Sequence, residues 1–127
     1  MIKEYNHLIY KGYFKSQPKN TKILDIVFPQ LLGHLQKEMI DEPKSVQNKM
    51  ENTITGYVIF KKGYAVIHTE LTERPYPFIL DIFTPSKISI ETITNQSELW
   101  FGLEKAEWHF IQENKSENAK GKINNTA

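Results

Sequence analysis

The sequence contains no cysteine, and Arg74 is the only arginine among its 16 basic residues. Without cysteine the chain has no disulfide bonds, no thiolate nucleophile and no cysteine metal site. The formal net charge of +1 gives no global field of the kind that nucleic-acid-binding proteins carry. These features argue against DNA or RNA as a partner. Lysines at positions 11, 15, 19 and 22 form a basic stretch. This stretch is either a solvated loop or a segment that attracts an anionic ligand, and we favour the solvated loop.

Long apolar runs are also missing. No apolar run approaches the roughly 18 residues that a membrane-spanning helix requires. The opening MIKEYNHLIYKGYF carries a lysine and a glutamate where a secretory signal has an uninterrupted apolar segment. We therefore expect a cytoplasmic protein with no membrane partner. Since His7, His34 and His109 are scattered and have no carboxylate at ligand spacing, we expect no metal site.

Apolar residues repeat with two different periods in the first third of the chain. The stretch YNHLIYKGYF is rich in aromatic and β-branched residues and predicts a strand, which KSQPKN ends. Asn20 or Thr21 then caps a helix, whose apolar residues recur at helical spacing to about Met39. Because Pro29 lies inside this helix, we expect a kink or a late start near Phe28.

The rest of the chain is richer in strand patterns. Residues 40–55 are predicted to be mostly loop, with room for a short edge strand. The runs YVIFKK, YAVIHT and PFILDIFT predict three neighbouring antiparallel strands. After Pro85, SKISIETITNQ fits either a short helix or an alternating strand, and EKAEWHFIQE predicts a final strand. Trp100 and Trp108 are predicted to anchor the core or a subunit interface.

This order of elements predicts an α+β fold, a two-layer sandwich in which helices cover one face of an antiparallel sheet. We expect a single domain over residues 1–113 and a disordered tail over residues 114–127, because NKSENAKGKINNTA is too polar to bury much surface. In so small a chain the other face of the sheet stays open, and association of subunits often covers such a face. We therefore expect a homo-oligomer, either a dimer or a trimer, with its site near the subunit interface.

The run GYVIFKKGYAVIHTELTERPYPFILDIFT, together with HLIYKGYF and the helix after it, resembles the small bacterial S-adenosylmethionine decarboxylases. The resemblance covers roughly residues 5–95 and is most specific in the order strand, turn, IHT, strand, LDIFT. It implies the fold of that family and a pocket shaped for a nucleoside. In the family, a precursor cleaves itself at a Glu-Ser bond, and the serine becomes the pyruvoyl group that forms a Schiff base with the substrate.

Both covalent groups of the family are missing here. The resemblance places Gly63, preceded by Lys62, at the position of the processing serine, and Pro85 at the position of a later proton-donating cysteine. A glycine has no hydroxyl that could attack its own backbone carbonyl, so pyruvoyl formation cannot proceed by this route. His68 matches the histidine that assists processing. The resemblance thus implies an adenosyl-binding pocket without the decarboxylase electrophile and without a cofactor.

Residues after the IHT segment supply the implied site. The family holds ribose hydroxyls with a glutamate in this region, and either Glu70 or Glu73 could take that role because ELTERP is slightly longer here. A carboxylate suits ribose because it accepts hydrogen bonds from two vicinal hydroxyls. Tyrosine rings can stack on adenine or contact a sulfonium, and a lysine can reach a phosphate. We predict the catalytic residues Glu70, Glu73 and His68, and the substrate-binding residues Tyr64, Tyr76 and Lys62.

One known reaction of S-adenosylmethionine needs no cofactor. In the lyases of some phages, the substrate's own carboxylate displaces methylthioadenosine from the γ-carbon and forms homoserine lactone. We predict a lyase of this type, acting on S-adenosylmethionine or on a nucleotide derived from it. The first alternative is an inactive decarboxylase relative that acts as a ligand sensor or a regulatory subunit. The second is a structural module, in which His68 and the glutamates are ordinary strand-end and turn residues.

Overall fold

The computed structural model describes residues 5–112 and 119–124. Its seven strands form one sheet in the order β2-β3-β4-β5-β1-β6-β7, and every neighbouring pair is antiparallel. The strands are β1 (Asn6–Phe14), β2 (Lys44–Asn48), β3 (Thr53–Phe60), β4 (Gly63–Glu70), β5 (Tyr76–Thr84), β6 (Leu103–Gln112) and β7 (Ala119–Asn124). The three predicted neighbouring strands are β3, β4 and β5. The predicted final strand EKAEWHFIQE corresponds to β6, and its last residue lies outside the described residues.

The first helix is continuous but irregular. It consists of α1 (Asn20–Lys22), a π-helical turn (Ile23–Val27) and α2 (Phe28–Leu35). The N–H of Phe28 bonds to the carbonyl of Ile23, which is the wider π-helical spacing. Pro29 has no N–H and crowds the carbonyl of the preceding turn, and the π-helical turn accommodates both defects. The predicted irregularity near Phe28 is therefore confirmed, whereas the helix ends before Met39 because Gln36 adopts a left-handed conformation with φ of 56°.

The segment after Pro85, for which the sequence left two alternatives, forms the helix α3 (Ile90–Phe101). Ser89 begins it, because its Oγ accepts a hydrogen bond from the N–H of Thr92 at 3.1 Å. Trp100 is buried on this helix, and its Nε1–H donates to Oε1 of Gln30 at 2.7 Å. Trp100 therefore belongs to the core, which is one of the two positions predicted for it.

Both helical segments cover the same face of the sheet. The Phe28 and Ile23 side chains pack against Gly56 of β3, and the Tyr10 hydroxyl of β1 pairs with Thr94 Oγ1 of α3 at 2.7 Å. Along β1 the buried side chains alternate with half-buried or exposed ones, so each strand turns one set of residues toward the helices. The predicted α+β architecture, with helices on one face of an antiparallel sheet, is confirmed.

The tail differs from its prediction of disorder over residues 114–127. Ala119–Asn124 forms β7, which pairs along β6 from Lys105 to Phe110. Gly121 lies directly against Trp108, where an added Cβ would be 2.5 Å from the indole ring, and Ile123 packs on the core. The composition of the tail could not predict this strand, because the strand is held by backbone hydrogen bonds to β6. The rest of the predicted tail lies outside the described residues.

Within the two described ranges, no helix has the length and apolar character needed to cross a bilayer. The cytoplasmic location stays a prediction.

Candidate functional site

The face of the sheet opposite the helices carries a grid of side chains from three adjacent strands. Residues two apart on one strand share a face, and the antiparallel register sets them opposite their partners. We call these nine residues the central patch: Tyr64, Val66 and His68 on β4; Phe83, Asp81 and Ile79 on β5; and His7, Ile9 and Lys11 on β1. The middle position of the grid belongs to a carboxylate, Asp81.

Asp81 has apolar residues beside it and polar residues at its diagonals. Its direct cross-strand partners are Val66 and Ile9. The His7 Nε2–H donates to Oδ1 of Asp81 at 2.8 Å, and 32% of the Asp81 side chain remains exposed. Such a carboxylate has acceptor capacity left for a ligand, while its neighbours limit the water around it.

An aromatic cluster borders the carboxylate. The Phe83 ring stacks against Tyr5 with centroids 4.5 Å apart and against Tyr64 at 5.8 Å. The His7 ring meets the edge of the cluster at 5.6 Å from Phe83. Burial, and secondarily the negative charge of Asp81, raise the pKa of Tyr64 above its ordinary value. Tyr64 therefore stays a neutral hydrogen-bond donor at physiological pH.

A cleft of about 500 Å³ opens beside this cluster, toward the turn between β3 and β4. We call it the aromatic cleft, and its walls include Tyr57, Ile59, Lys62, Tyr64 and Phe83. An aromatic wall next to a half-exposed carboxylate can bind a ligand that combines a flat ring with a positive charge.

Two of the predicted site residues lie in the central patch. Tyr64 stands diagonally to Asp81 and forms part of the aromatic cleft. His68 stands at another diagonal, and its Nδ1 pairs with Thr55 Oγ1 on the neighbouring strand at 2.6 Å. The structure therefore brings Tyr64 and His68 together around a carboxylate that the sequence reasoning had not chosen.

Of the other predicted residues, Lys62 shares the aromatic cleft with Tyr64. Glu70, Glu73 and Tyr76 do not converge with these two within one chain. Lys62 lies in the turn at one end of β4 and lines the aromatic cleft, while Glu70 lies exposed at the other end of that strand. Glu73 is exposed in the loop that follows. Tyr76 is opposite Phe14 in the sheet register and packs on the core under the helices, so it faces away from Tyr64.

The residues missed by sequence reasoning are Asp81, His7, Phe83 and Tyr5. A signal for Asp81 was present, because PFILDIFT places an acidic residue, depleted in strands, between apolar neighbours on the face that alternation predicts to be open. His7 had a weaker signal, since only the pairing of β1 with β5 brings it to Asp81, 74 residues away in sequence.

Gly63 has a steric role that its sequence position did not indicate. A Cβ added there would lie 2.2 Å from the carbonyl oxygen of Phe83 and 2.6 Å from the Phe60 ring. The backbone thus approaches too closely for a serine at the position to which the sequence resemblance assigns the processing serine.

In the part of the chain that is described, no group of three or more histidine and acidic side chains is placed to hold a metal ion. No family model matches the sequence, and no curated protein is significantly similar to it.

Proposed function

We propose that this protein has a fold of the S-adenosylmethionine decarboxylase type, binds S-adenosylmethionine or a nucleotide derived from it, and cleaves that ligand as a lyase. The products are homoserine lactone and a methylthioadenosine moiety. The observation that carries the proposal is Asp81, a carboxylate at the centre of the central patch with Val66 and Ile9 directly beside it and stacked aromatic rings at its border. A sulfonium is a cation on an apolar body, and its attraction to a carboxylate and to aromatic faces is strong where water is limited.

The reaction requires no group beyond the substrate itself. One carboxylate oxygen of the methionine portion attacks the γ-carbon, the bond between that carbon and sulfur breaks, and its electron pair stays on sulfur. The negative and positive charges cancel, and no proton is transferred. A site of low polarity favours this step, because the charges disappear on the way to the transition state. The protein's contribution is to hold the reacting atoms in contact.

Each part of the site has a role in this proposal. Tyr57, Tyr64 and Phe83 provide aromatic walls for the adenine ring. Asp81 attracts the sulfonium and orients it, and His7 holds the carboxylate through its hydrogen bond. In this proposal Asp81, and not Glu70 or Glu73, supplies the negative charge of the site. His68 lies beside the site but transfers no proton, because the reaction needs no proton transfer.

Self-association is part of the proposal. The open face of the sheet exposes large apolar side chains, with exposed fractions of 39% for Tyr57, 46% for Ile59 and 41% for Ile79. A second copy seated there buries these side chains and closes the aromatic cleft. We expect a dimer or a trimer in sedimentation analysis and dissociation of the Ile59→Lys variant. A monomeric wild-type protein at micromolar concentration contradicts this part.

The test of activity is incubation of the protein with S-adenosylmethionine and with its nucleotide conjugates, followed by mass spectrometry for methylthioadenosine and homoserine lactone. Asp81→Asn is expected to raise KM about 10- to 100-fold, which corresponds to loss of a charged contact of about 1.5–3 kcal/mol, with a smaller change in kcat. Asp25→Asn, on the exposed surface of the helical layer, is the matched control and is expected to leave both constants unchanged.

Two outcomes contradict the lyase proposal. If the ligand binds and is recovered intact, the protein is a sensor or a regulatory subunit, as in the first alternative. If the protein neither binds nor converts any adenosyl compound, it belongs to the structural class.

A further inference from the structure

A second groove crosses the same face of the sheet on the other side of the central patch. It has a volume of about 650 Å³ and lies between β5, β1, β6 and β7. We call it the lysine groove, and the side chains used below are Lys11, Tyr13, Ile79, Lys105, Glu107 and Lys122. Lys11 and Ile79 also belong to the central patch, so the lysine groove and the patch are continuous.

The charge of the lysine groove is unbalanced. Lys11 and Lys122 flank Glu107 directly across the strands, and Lys105 stands over the Tyr13 ring at 4.9 Å from its centroid. Three lysines against one glutamate leave a local charge of +2. Among the described residues, no lysine ammonium group of this groove lies within salt-bridge distance of a carboxylate.

The surroundings distinguish this cluster from scattered surface lysines. Ile79 and Pro77 line the same groove, and the ammonium groups come from three neighbouring strands. A rigid sheet therefore sets the spacing of their Cα atoms, and the attractions of the three exposed ammonium groups to one anion add together.

We propose that the lysine groove binds a phosphate group, so that the ligand of this protein is an adenosyl compound that carries a phosphate, in preference to free S-adenosylmethionine. A terminal phosphate carries a charge close to −2, which matches the local charge of +2, whereas a carboxylate carries only −1. Lys11 stands diagonally to Asp81, about 7–8 Å away between Cα atoms, so one ligand can reach both. This inference rests on the proposed function for the identity of the adenosyl part.

The test measures binding and not turnover. Adenosine, adenosine 5′-monophosphate, inorganic phosphate and methionine are titrated separately by calorimetry into the wild-type protein. We expect the monophosphate to bind at least 10-fold more tightly than adenosine, with an affinity that decreases as salt is added. We expect Lys105→Gln and Lys122→Gln each to weaken the monophosphate about 5- to 10-fold and to leave adenosine unchanged.

Two further variants sharpen the result. Glu107→Gln removes the opposing charge and is expected to tighten binding of the monophosphate. Lys49→Gln, in the exposed turn between β2 and β3, removes a lysine outside the groove and is expected to change nothing.

The inference is overturned if the monophosphate binds no more tightly than adenosine, or if the lysine variants weaken methionine and not the monophosphate. Because no step of the assay depends on cleavage, this failure is separate from that of the lyase proposal. A protein that cleaves free S-adenosylmethionine and a phosphate-bearing conjugate equally well, and does so at equal rates in the wild type and in the lysine variants, retains the proposed function and has no phosphate-binding groove.

Discussion

Replacing Gly63 by serine, the residue that the resemblance to the decarboxylases predicts for this position, is expected to destabilise the protein without producing cleavage. The added Cβ would lie 2.2 Å from the Phe83 carbonyl oxygen and 2.6 Å from Cε1 of Phe60. The first of these partners is backbone in the neighbouring strand β5, so it cannot move aside as a flexible side chain can. The end of β4 must separate from β5, or the Phe60 ring must leave its buried position.

The magnitude follows from the cost of overpacking. Substitutions that force such shifts in a packed interior cost about 1–3 kcal/mol, and a backbone contact this short belongs near the upper end, at about 2–3 kcal/mol. Unfolding entropy is about 2.1 cal/mol/K per residue, so for a chain of 127 residues each kcal/mol shifts Tm by about 4 °C. We therefore expect Tm of Gly63→Ser to fall by roughly 8–12 °C.

The assay combines thermal unfolding with intact-mass measurement, and Gly33→Ser is the matched control. Gly33 lies in α2 with no atom within 4 Å of an added Cβ, so its serine variant is expected to unfold close to the wild-type temperature. A Gly63→Ser protein as stable as the control refutes the steric reasoning. Two fragments separated at residue 62 would show that the variant can process itself after all.

Three further predictions concern the contacts of the helical layer. Ser89→Ala removes the oxygen that accepts the Thr92 N–H and is expected to cost about 1 kcal/mol in urea unfolding. Burial lowers the pKa of His34, whose Nε2 accepts the Ser89 N–H, so the unfolded chain binds a proton more readily than the folded one. Stability should therefore be fully present above about pH 6.5 and decrease as the pH falls, and His34→Gln should weaken this dependence. Tyr10→Phe removes the hydrogen bond to Thr94 and should cost about 1 kcal/mol, whereas Tyr13→Phe, without such a bond, should cost less.

Most strands were predictable because their pattern is local. PFILDIFT and YAVIHT alternate in a way that suits one buried and one open face, and both occur as strands with that pattern of burial. The segment that became α3 was ambiguous, because its alternating and helical patterns both fit. The hydrogen bond between Ser89 and Thr92 identifies the start of the helix only in the folded chain.

Strand β7 shows where composition fails as a guide. The sequence AKGKIN of this strand offers only alanine and isoleucine as apolar side chains, so a rule based on hydrophobicity predicts disorder. The edge of β6 offers backbone partners that the rule does not count, and Gly121 allows the close approach of Trp108. Such pairing is a property of two segments and is not visible in either one.

The site was predictable only in part. The predicted residues Tyr64 and His68 lie on one strand and share a face, because side chains four residues apart on an extended chain point to the same side. Tyr76 was chosen for its chemistry, and its register opposite Phe14 turns it toward the core. Chemical type alone could not separate the two tyrosines, since the face on which each one lies depends on the pairing of strands.

Alternation within the chain determines which residues of a strand share a face, and it alone puts Asp81 on the same face as Phe83 and Ile79. Tertiary structure alone decided which face the helices cover and which strands are neighbours. By placing β1 between β5 and β6 it brought His7 to within 2.8 Å of a carboxylate 74 residues away. The physical reason is that side-chain direction follows from local backbone geometry, whereas strand order follows from burial of the whole sheet against its helices.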